Sequence, residues 1–230
     1  MSGSTKDAVL SRIRRANGAR PNDEARQRAV DARLSGRPLG VVPARGQLPP
    51  AERVALFVAM AEAANATVAR IGSMAELPGE VARYLRERNL PATLKMGADR
   101  RLSEADFSAT AIEVTKGASE GDDLNSLSHA EAGIAETGTL VLTSGPDNPT
   151  SLNFLPENHI VVIEADTIEG AMEAVFERLR ERHGGTLPRT VNTITGPSRS
   201  ADIEQTLLLG AHGPKALHIV VLDRTAAPMQ

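Results

Sequence analysis

Four short apolar runs in the second half of the chain narrow its fold more than any other feature: T-L-V-L-T at 139–143, H-I-V-V-I at 159–163, T-V-N-T-I at 190–194 and L-H-I-V-V-L at 217–222. They are rich in β-branched residues and bounded by Gly, Pro or Asp, and they lack the polar alternation of a half-exposed strand. They read as strands buried on both faces. Between the second and third, Ile168, Met172, Val175, Phe176 and Leu179 recur at helical spacing. Asp166 and Glu169 mark the start of that helix, and Arg178, Arg180 and Arg182 precede a stop at Gly184-Gly185. Buried strands separated by helix predict an α/β fold with an open, mostly parallel sheet flanked by helices.

The first half continues the pattern more weakly. A dense apolar helix is expected over 51–64, a strand over 67–71, and a helix carrying Met74, Leu77, Val81 and Leu85. Strands over 92–96 and 110–115 follow, then an acidic polar stretch through Asp122 and Asp123. Val9, Leu10, Ile13 and Ala16 mark a further helix over 4–17, stopped by Asn17-Gly18. Residues 36–50 hold four Pro and three Gly and read as a linker. The division expected is a basic helical arm and linker over 1–45 and an α/β domain over 46–230.

Composition removes several classes of function. The 230 residues include no Cys, so this chain supplies no disulfide, thiolate nucleophile or cysteine-held cluster. Aromatic residues are 2% and the net charge is -3, which argues against a nucleic-acid surface built on stacking and positive charge. No 18-residue apolar run is present, and Met1–Arg20 lacks the apolar stretch of a signal peptide; both predict a cytoplasmic protein without a membrane span. The charge is unevenly divided, +6 over residues 1–45 and -9 over the rest. The arm therefore reads either as solvated helices complementing the acidic body or as a docking segment for an acidic protein partner.

Ligands of open α/β sheets gather beyond the carboxyl ends of strands, so the segments that follow strands carry the chemistry. After the run at 190–194 comes T-G-P-S-R-S-A-D-I-E, 195–204, expected to lead into an apolar helix through Leu209. Gly196 allows close backbone approach, Ser198 and Arg199 offer a hydroxyl and a carboxylate-matching guanidinium, and Ser200 can cap the helix. This suits a small anion; alternatively Asp202 and Glu204 only complement the helix dipole. The stretch nearly spells a nucleophile elbow, with Ser200 in place of its last Gly, but too few strands remain for the acid and His of a hydrolase. His129 with Glu131 lacks the P-C-x-x-C of a deaminase, and no phosphate loop, dinucleotide or zinc motif is found. No metal or cofactor is therefore expected on this chain. In H-A-E-A-G-I-A-E-T-G-T, 129–139, Glu136 beside Thr137, Gly138 and Thr139 places a carboxylate at a tight turn suited to general base work. That turn meets the 195–198 loop only if the strand after it runs antiparallel to its neighbours. In G-A-H-G-P, 210–214, His212 reads as a proton donor and acceptor near neutral pH or as the end of the preceding helix.

A-E-T-G-T at 135–139, F-L-P-E-N-H-I at 154–160, T-G-P-S-R-S-A-D-I-E at 195–204 and G-A-H-G-P at 210–214 together resemble the lactate utilization protein C family, whose members share the LUD domain. The motifs keep family order over 129–223. Ser200 stands where Thr is common, which keeps the hydroxyl. The resemblance implies a fold similar to ribose-phosphate isomerases and CoA transferases. It also implies a role in oxidising L-lactate to pyruvate beside iron-sulfur companion proteins, in a complex outside which this chain is inactive. On that reading Glu136, Asp202 and His212 are the candidate catalytic residues. Thr137, Gly138, Thr139, Gly196, Ser198, Arg199, Ser200 and Glu204 are the candidates for binding a small hydroxy acid or related anion. The alternatives are an assembly or regulatory module of the same system, or an independent enzyme on a phosphorylated sugar or acyl-CoA.

Overall fold

A computed structural model describes residues 4–18, 23–36, 40–203 and 206–225, with residues 200–203 and 206–209 described by backbone alone. The chain forms two compact units, Met1–Val41 and Val42–Gln230. The first contains helices α1 (Thr5–Ala16) and α2 (Glu24–Gly36). The Ser4 hydroxyl accepts the Asp7 N–H at the start of α1, and Arg14 and Arg15 lie in its last turn, so both ends of the helix dipole are complemented.

The second unit opens with α3 (Pro50–Ala63), β1 (Thr67–Ile71), α4 (Leu77–Glu87), β2 (Thr93–Met96) and β3 (Glu113–Lys116). It continues with β4 (Asn125–His129), β5 (Ala132–Ile134), β6 (Thr139–Thr143), β7 (Asn158–Glu164) and β8 (Ile168–Glu169). Then come α5 (Met172–Arg182), β9 (Val191–Ile194), β10 (Arg199–Ile203), β11 (Thr206–Leu209) and β12 (Ala216–Leu222). Six strands form one wholly parallel sheet in the order β1-β12-β7-β4-β2-β3. The α/β fold with a mostly parallel sheet and flanking helices is as the sequence implied.

Alternation along the central strands explains why they read as continuous apolar runs. Ile160, Val162, Val220 and Leu222 face α4, where Val81, Tyr84 and Leu85 pack on them. Val161, Ile163, Leu217, Ile219 and Val221 face the other way, onto Val54, Phe57 and Ala61 of α3 and onto Leu140 and Leu142 of β6. The second cover is thus partly a sheet. Strands β8-β5-β6-β9 form it, and its outer face, with Ile134 and Val141, is closed by Val175 and Leu179 of α5. Each such aliphatic side chain contributes about 1.5–3 kcal/mol of burial.

Several local expectations are corrected. The runs at 139–143 and 190–194 are strands, but they pair antiparallel with each other in the smaller sheet; the first is buried as expected, whereas the second is not, with Val191, Asn192 and Ile194 half-buried and Thr193 exposed. The helix placed from Ile168 begins at Met172, because Ile168–Glu169 pairs with β5 and Asp166 lies in a short 3-10 turn. The helix expected through Leu209 is instead a hairpin, β10 against β11. Ser200 therefore caps no helix and His212 ends none. Strands β4 and β5, which the sequence reading did not place, follow the acidic stretch; in β4, Ser126, Ser128 and His129 are buried, with Ser126 on the Leu152 carbonyl, Ser128 facing His159 and His129 Nδ1 on the Ala130 carbonyl. Among the described residues, no helix is long and apolar enough to cross a membrane.

Candidate functional site

The motif segments gather at the amino edge of the parallel sheet. F-L-P-E precedes β7 and G-A-H-G-P precedes β12, adjacent strands whose starts are tied by the Ala216 N–H on the Glu157 carbonyl and by the Lys215 to Glu157 ion pair at 2.6 Å. The loop after β9 joins them there. The Ser198 N–H donates to the Pro214 carbonyl at 2.8 Å, the Gly210 N–H to the Ser198 carbonyl at 3.0 Å and the His212 N–H to the Ser198 hydroxyl at 3.3 Å. Because β6 runs antiparallel to β9, Leu140 sits opposite Ile194 and the E-T-G-T turn reaches the same place. Thr137, Thr139 and Thr195 make a row of hydroxyls, with both Oγ1 to Oγ1 separations 2.7 Å.

The glycines there serve packing within the chain. Gly138 has φ 64°, and a Cβ on it would stand 2.3 Å from the Ala61 nitrogen of α3. Gly196 has φ 66°, and its Cβ would meet the Ala64 carbonyl at 2.2 Å. The close approach expected toward a ligand is therefore made to the end of α3.

The candidate residues divide. Thr137, Thr139, Ser198, Arg199 and His212 lie on the elements of this edge, with Arg199 and His212 exposed. Glu136 turns elsewhere. At 5% exposure its Oε1 accepts the Met172 N–H at 3.1 Å, satisfying one of the unpaired donors that open α5, and its own N–H donates to the Gly170 carbonyl. Among the described residues no hydrogen bond joins Glu136 to Ser198, Arg199 or His212. The side chains of Ser200 and Asp202, and the whole of Glu204, lie outside the described residues.

A second charged cluster stands at the carboxyl edge, and sequence reasoning missed it. The Arg101 guanidinium grips the Asp99 carboxylate and approaches the His129 and Ala130 carbonyls at 3.5 and 3.4 Å. Glu131 receives Arg182, Arg101 at 3.5 Å and the Thr143 hydroxyl at 3.4 Å. Burial opposes the ionisation of Glu131, but the Arg182 and Arg101 charges outweigh it and hold its carboxyl below the ordinary range. His129 is 1% exposed; burial, joined by the Arg101 charge, pushes its imidazole down to about 4. His159, between β4 and β12 in the sheet, is pushed down to about 3 by burial alone and faces the Ser128 hydroxyl at 3.1 Å. The available signal was H-A-E at the end of a strand, discounted because it lacked a deaminase's cysteines.

Both imidazoles titrate lower in the folded chain than the ordinary value near 6.5. The unfolded chain therefore gains protons first as pH falls, and stability is full above about 6.5 and lost toward 4. The unfolding free energy from urea titrations should fall between pH 7.5 and 4.5, by about 2–3 kcal/mol for His159, a cost that His159→Gln removes. Parallel wild-type and mutant profiles would contradict this assignment.

Residues 125–222 match the LUD domain family model. Lactate utilization protein C of Anoxybacillus flavithermus is 44% identical over 92 residues, covering 40% of this chain and 40% of that protein. The Bacillus subtilis protein of the same name is 41% identical over 101 residues, covering 43% and 42%. The chain thus spans about two-fifths of the length of the curated relatives it matches. A DUF162 family protein from Deinococcus radiodurans superposes with TM-score 0.58 over 76% of this chain and 99% of its own, at 23% identity, a likeness of fold alone.

Proposed function

We propose, from the match of residues 125–222 to the LUD domain family model, that the chain takes part in lactate utilization and binds a small hydroxy acid or related anion at the amino edge of its parallel sheet. One observation carries the reading. The matched segment contains the E-T-G-T turn, the 195–198 loop and the 210–214 loop, which meet in space although they are far apart in sequence. At that edge the row of Thr hydroxyls offers donors and acceptors to a ligand hydroxyl, and Arg199 offers a planar pair of donors to a carboxylate. His212 stands exposed beside Ser198, within reach of the same loop.

Oxidation of a hydroxy acid needs an electron acceptor, and this chain carries no recognisable motif for one. The electrons leave through iron-sulfur companion proteins, and the isolated chain is inactive toward lactate. Affinity capture of the native protein, followed by identification of what it retains, tests this. Iron-sulfur proteins among the partners support the reading, and turnover of lactate by the solitary chain overturns it.

A second reading draws on a specific feature of the loop. Its Ser198, Gly210 and His212 N–H groups are all spent on the loop itself rather than left open to an anion. That favours an assembly or regulatory module whose amino edge is a rigid surface, and it predicts partner binding with no affinity for lactate or pyruvate.

A further inference from the structure

The parallel sheet ends in an edge that the lactate reading does not use. Strand β3 is its last strand, and among the described residues nothing pairs with the outer side of β3. Its Glu113 N–H donates inward to the Ala92 carbonyl, and the Gly117 N–H to the Met96 carbonyl. Backbone groups alternate in direction along a strand, so the N–H and C=O of Val114 and Lys116 point outward. Glu113, Thr115 and Lys116 are exposed and Val114 is half-buried, which leaves this row open to a further strand.

At the amino end of β3 this edge runs into a groove of about 680 Å³, within the range of ligand sites. Its walls include Leu85 of α4, Leu90 just beyond that helix, and Ala109 and Ile112 on the segment leading into β3. Polar character is scarce. Thr110 is spent on its own segment, its hydroxyl donating to the Phe107 carbonyl and accepting the Ile112 N–H. The carbonyls of Tyr84, Leu85 and Arg86 accept the Arg88, Leu90 and Asn89 N–H groups, so the negative end of α4 is capped. One charged side chain lines the groove, Arg86. Whereas Arg83 is held by Glu80 and Glu87, Arg86 is exposed and makes no ion pair or side-chain hydrogen bond among the described residues.

We propose that the β3 edge and this groove together bind an extended peptide by its C-terminal end. The peptide lies antiparallel to β3, since only that direction brings its C-terminus to the strand's amino end. Val114 and Lys116 exchange backbone hydrogen bonds with it, an apolar last side chain fills the groove, and Arg86 pairs with the terminal carboxylate. A lone guanidinium beside apolar walls complements a single negative charge on a hydrocarbon-rich end. A small carboxylate would use Arg86 and the groove but not the backbone row of β3, whereas a peptide uses all three. The site is independent of the lactate reading.

Fluorescence polarisation of the full chain with a labelled short peptide, alternating threonine and valine and ending in leucine, tests it against the same peptide amidated at its C-terminus. The free acid is expected to bind saturably and the amide roughly tenfold more weakly. Arg86→Gln should weaken the free acid by a similar factor and leave the amide unchanged. Val114→Pro removes one outward N–H and keeps the pairing with β2, because proline is tolerated where the N–H of an edge strand faces away from the sheet; it should abolish binding of both peptides. Denaturant midpoints of both variants separate a lost contact from a folding defect, and Arg86→Gln, at an exposed position, keeps the test open if Val114→Pro unfolds. No binding of the free acid at millimolar concentration, equal binding of acid and amide, or unchanged affinity in Arg86→Gln overturns the assignment. So does a dimer in sedimentation that Val114→Pro dissociates, which gives the edge to a second copy of the chain.

Discussion

Gly138→Ala is expected to destabilise the fold by about 2–5 kcal/mol, a large effect for the addition of one methyl group. Two costs combine. The residue sits at φ 64°, where a side chain costs about 1–2 kcal/mol. The new Cβ would also lie 2.3 Å from the Ala61 nitrogen and 2.5 Å from the Met60 carbonyl carbon, backbone atoms of α3 that cannot swing aside as a side chain does. Overpacking of a core contact costs about 1–3 kcal/mol, and the separation of α3 from the β5–β6 turn must grow to relieve it. A urea midpoint within error of wild type would show that the turn and α3 do not meet this closely. The same measurement separates two roles for a motif glycine: a residue kept for ligand approach leaves stability unchanged when substituted, whereas one kept for packing does not.

Glu131→Ala is the second large effect, expected to cost about 3 kcal/mol. The carboxylate is 8% exposed and gathers Arg182 from the end of α5, Arg101 from the segment after β2 and the Thr143 hydroxyl from β6. Removing one partner of a buried ion pair costs about 3–5 kcal/mol because the other is left uncompensated. Arg101 and Arg182 keep 35% and 44% side-chain exposure, so part of their charge returns to water and the lower end applies. Glu131→Gln should cost less, since the amide oxygen still accepts one guanidinium. Hydrogen exchange should show the last turn of α5 opening more readily in both variants. Equal stability of wild type and Glu131→Ala would make the cluster a solvated surface feature.

The two variants also locate what a sequence conveys and what it withholds. The strands at 159–163 and 217–222 were legible because both of their faces are buried, which leaves no polar position to obscure the run. The strand at 125–129 was not, because N-S-L-S-H has the composition of a loop; its polarity is tolerated only through bonds such as Ser126 to the Leu152 carbonyl and His159 to Ser128, made by residues remote in sequence. The segment 206–209 illustrates a limit of periodicity: T-L-L-L fits a helix or a strand, and pairing with β10, invisible from composition, decides the matter. The start of α5 was misplaced by several residues because its N–H donor is taken by Glu136 from another element, while the nearer Asp166 and Glu169 suggested a local cap.

For the candidate site, the motifs themselves were legible and their meeting place was conditional on one unknown, the direction of the strand after Thr139. Its antiparallel pairing with β9 brings Thr139 to Thr195. The expectation that ligands lie beyond the carboxyl ends of strands pointed to the 195–204 loop, but β9 belongs to the smaller sheet, so its far end opens at the amino edge of the larger one. The carboxyl edge of the parallel sheet holds His129, Glu131 and Glu164 instead. Their assembly depends on Arg101 and Arg182, whose approach no local pattern announces.

Calorimetric titration of the wild-type chain and of Arg199→Lys with L-lactate, pyruvate and phosphate tests the central claim most directly. A guanidinium grips a carboxylate through two parallel hydrogen bonds, whereas an ammonium acts as a point charge. The account predicts saturable binding of lactate or pyruvate by the wild type and roughly tenfold weaker binding by Arg199→Lys, with unchanged denaturant midpoints. An unchanged affinity in the variant would remove Arg199 from the site, and no binding of either organic acid by the wild type would contradict anion recognition at the amino edge.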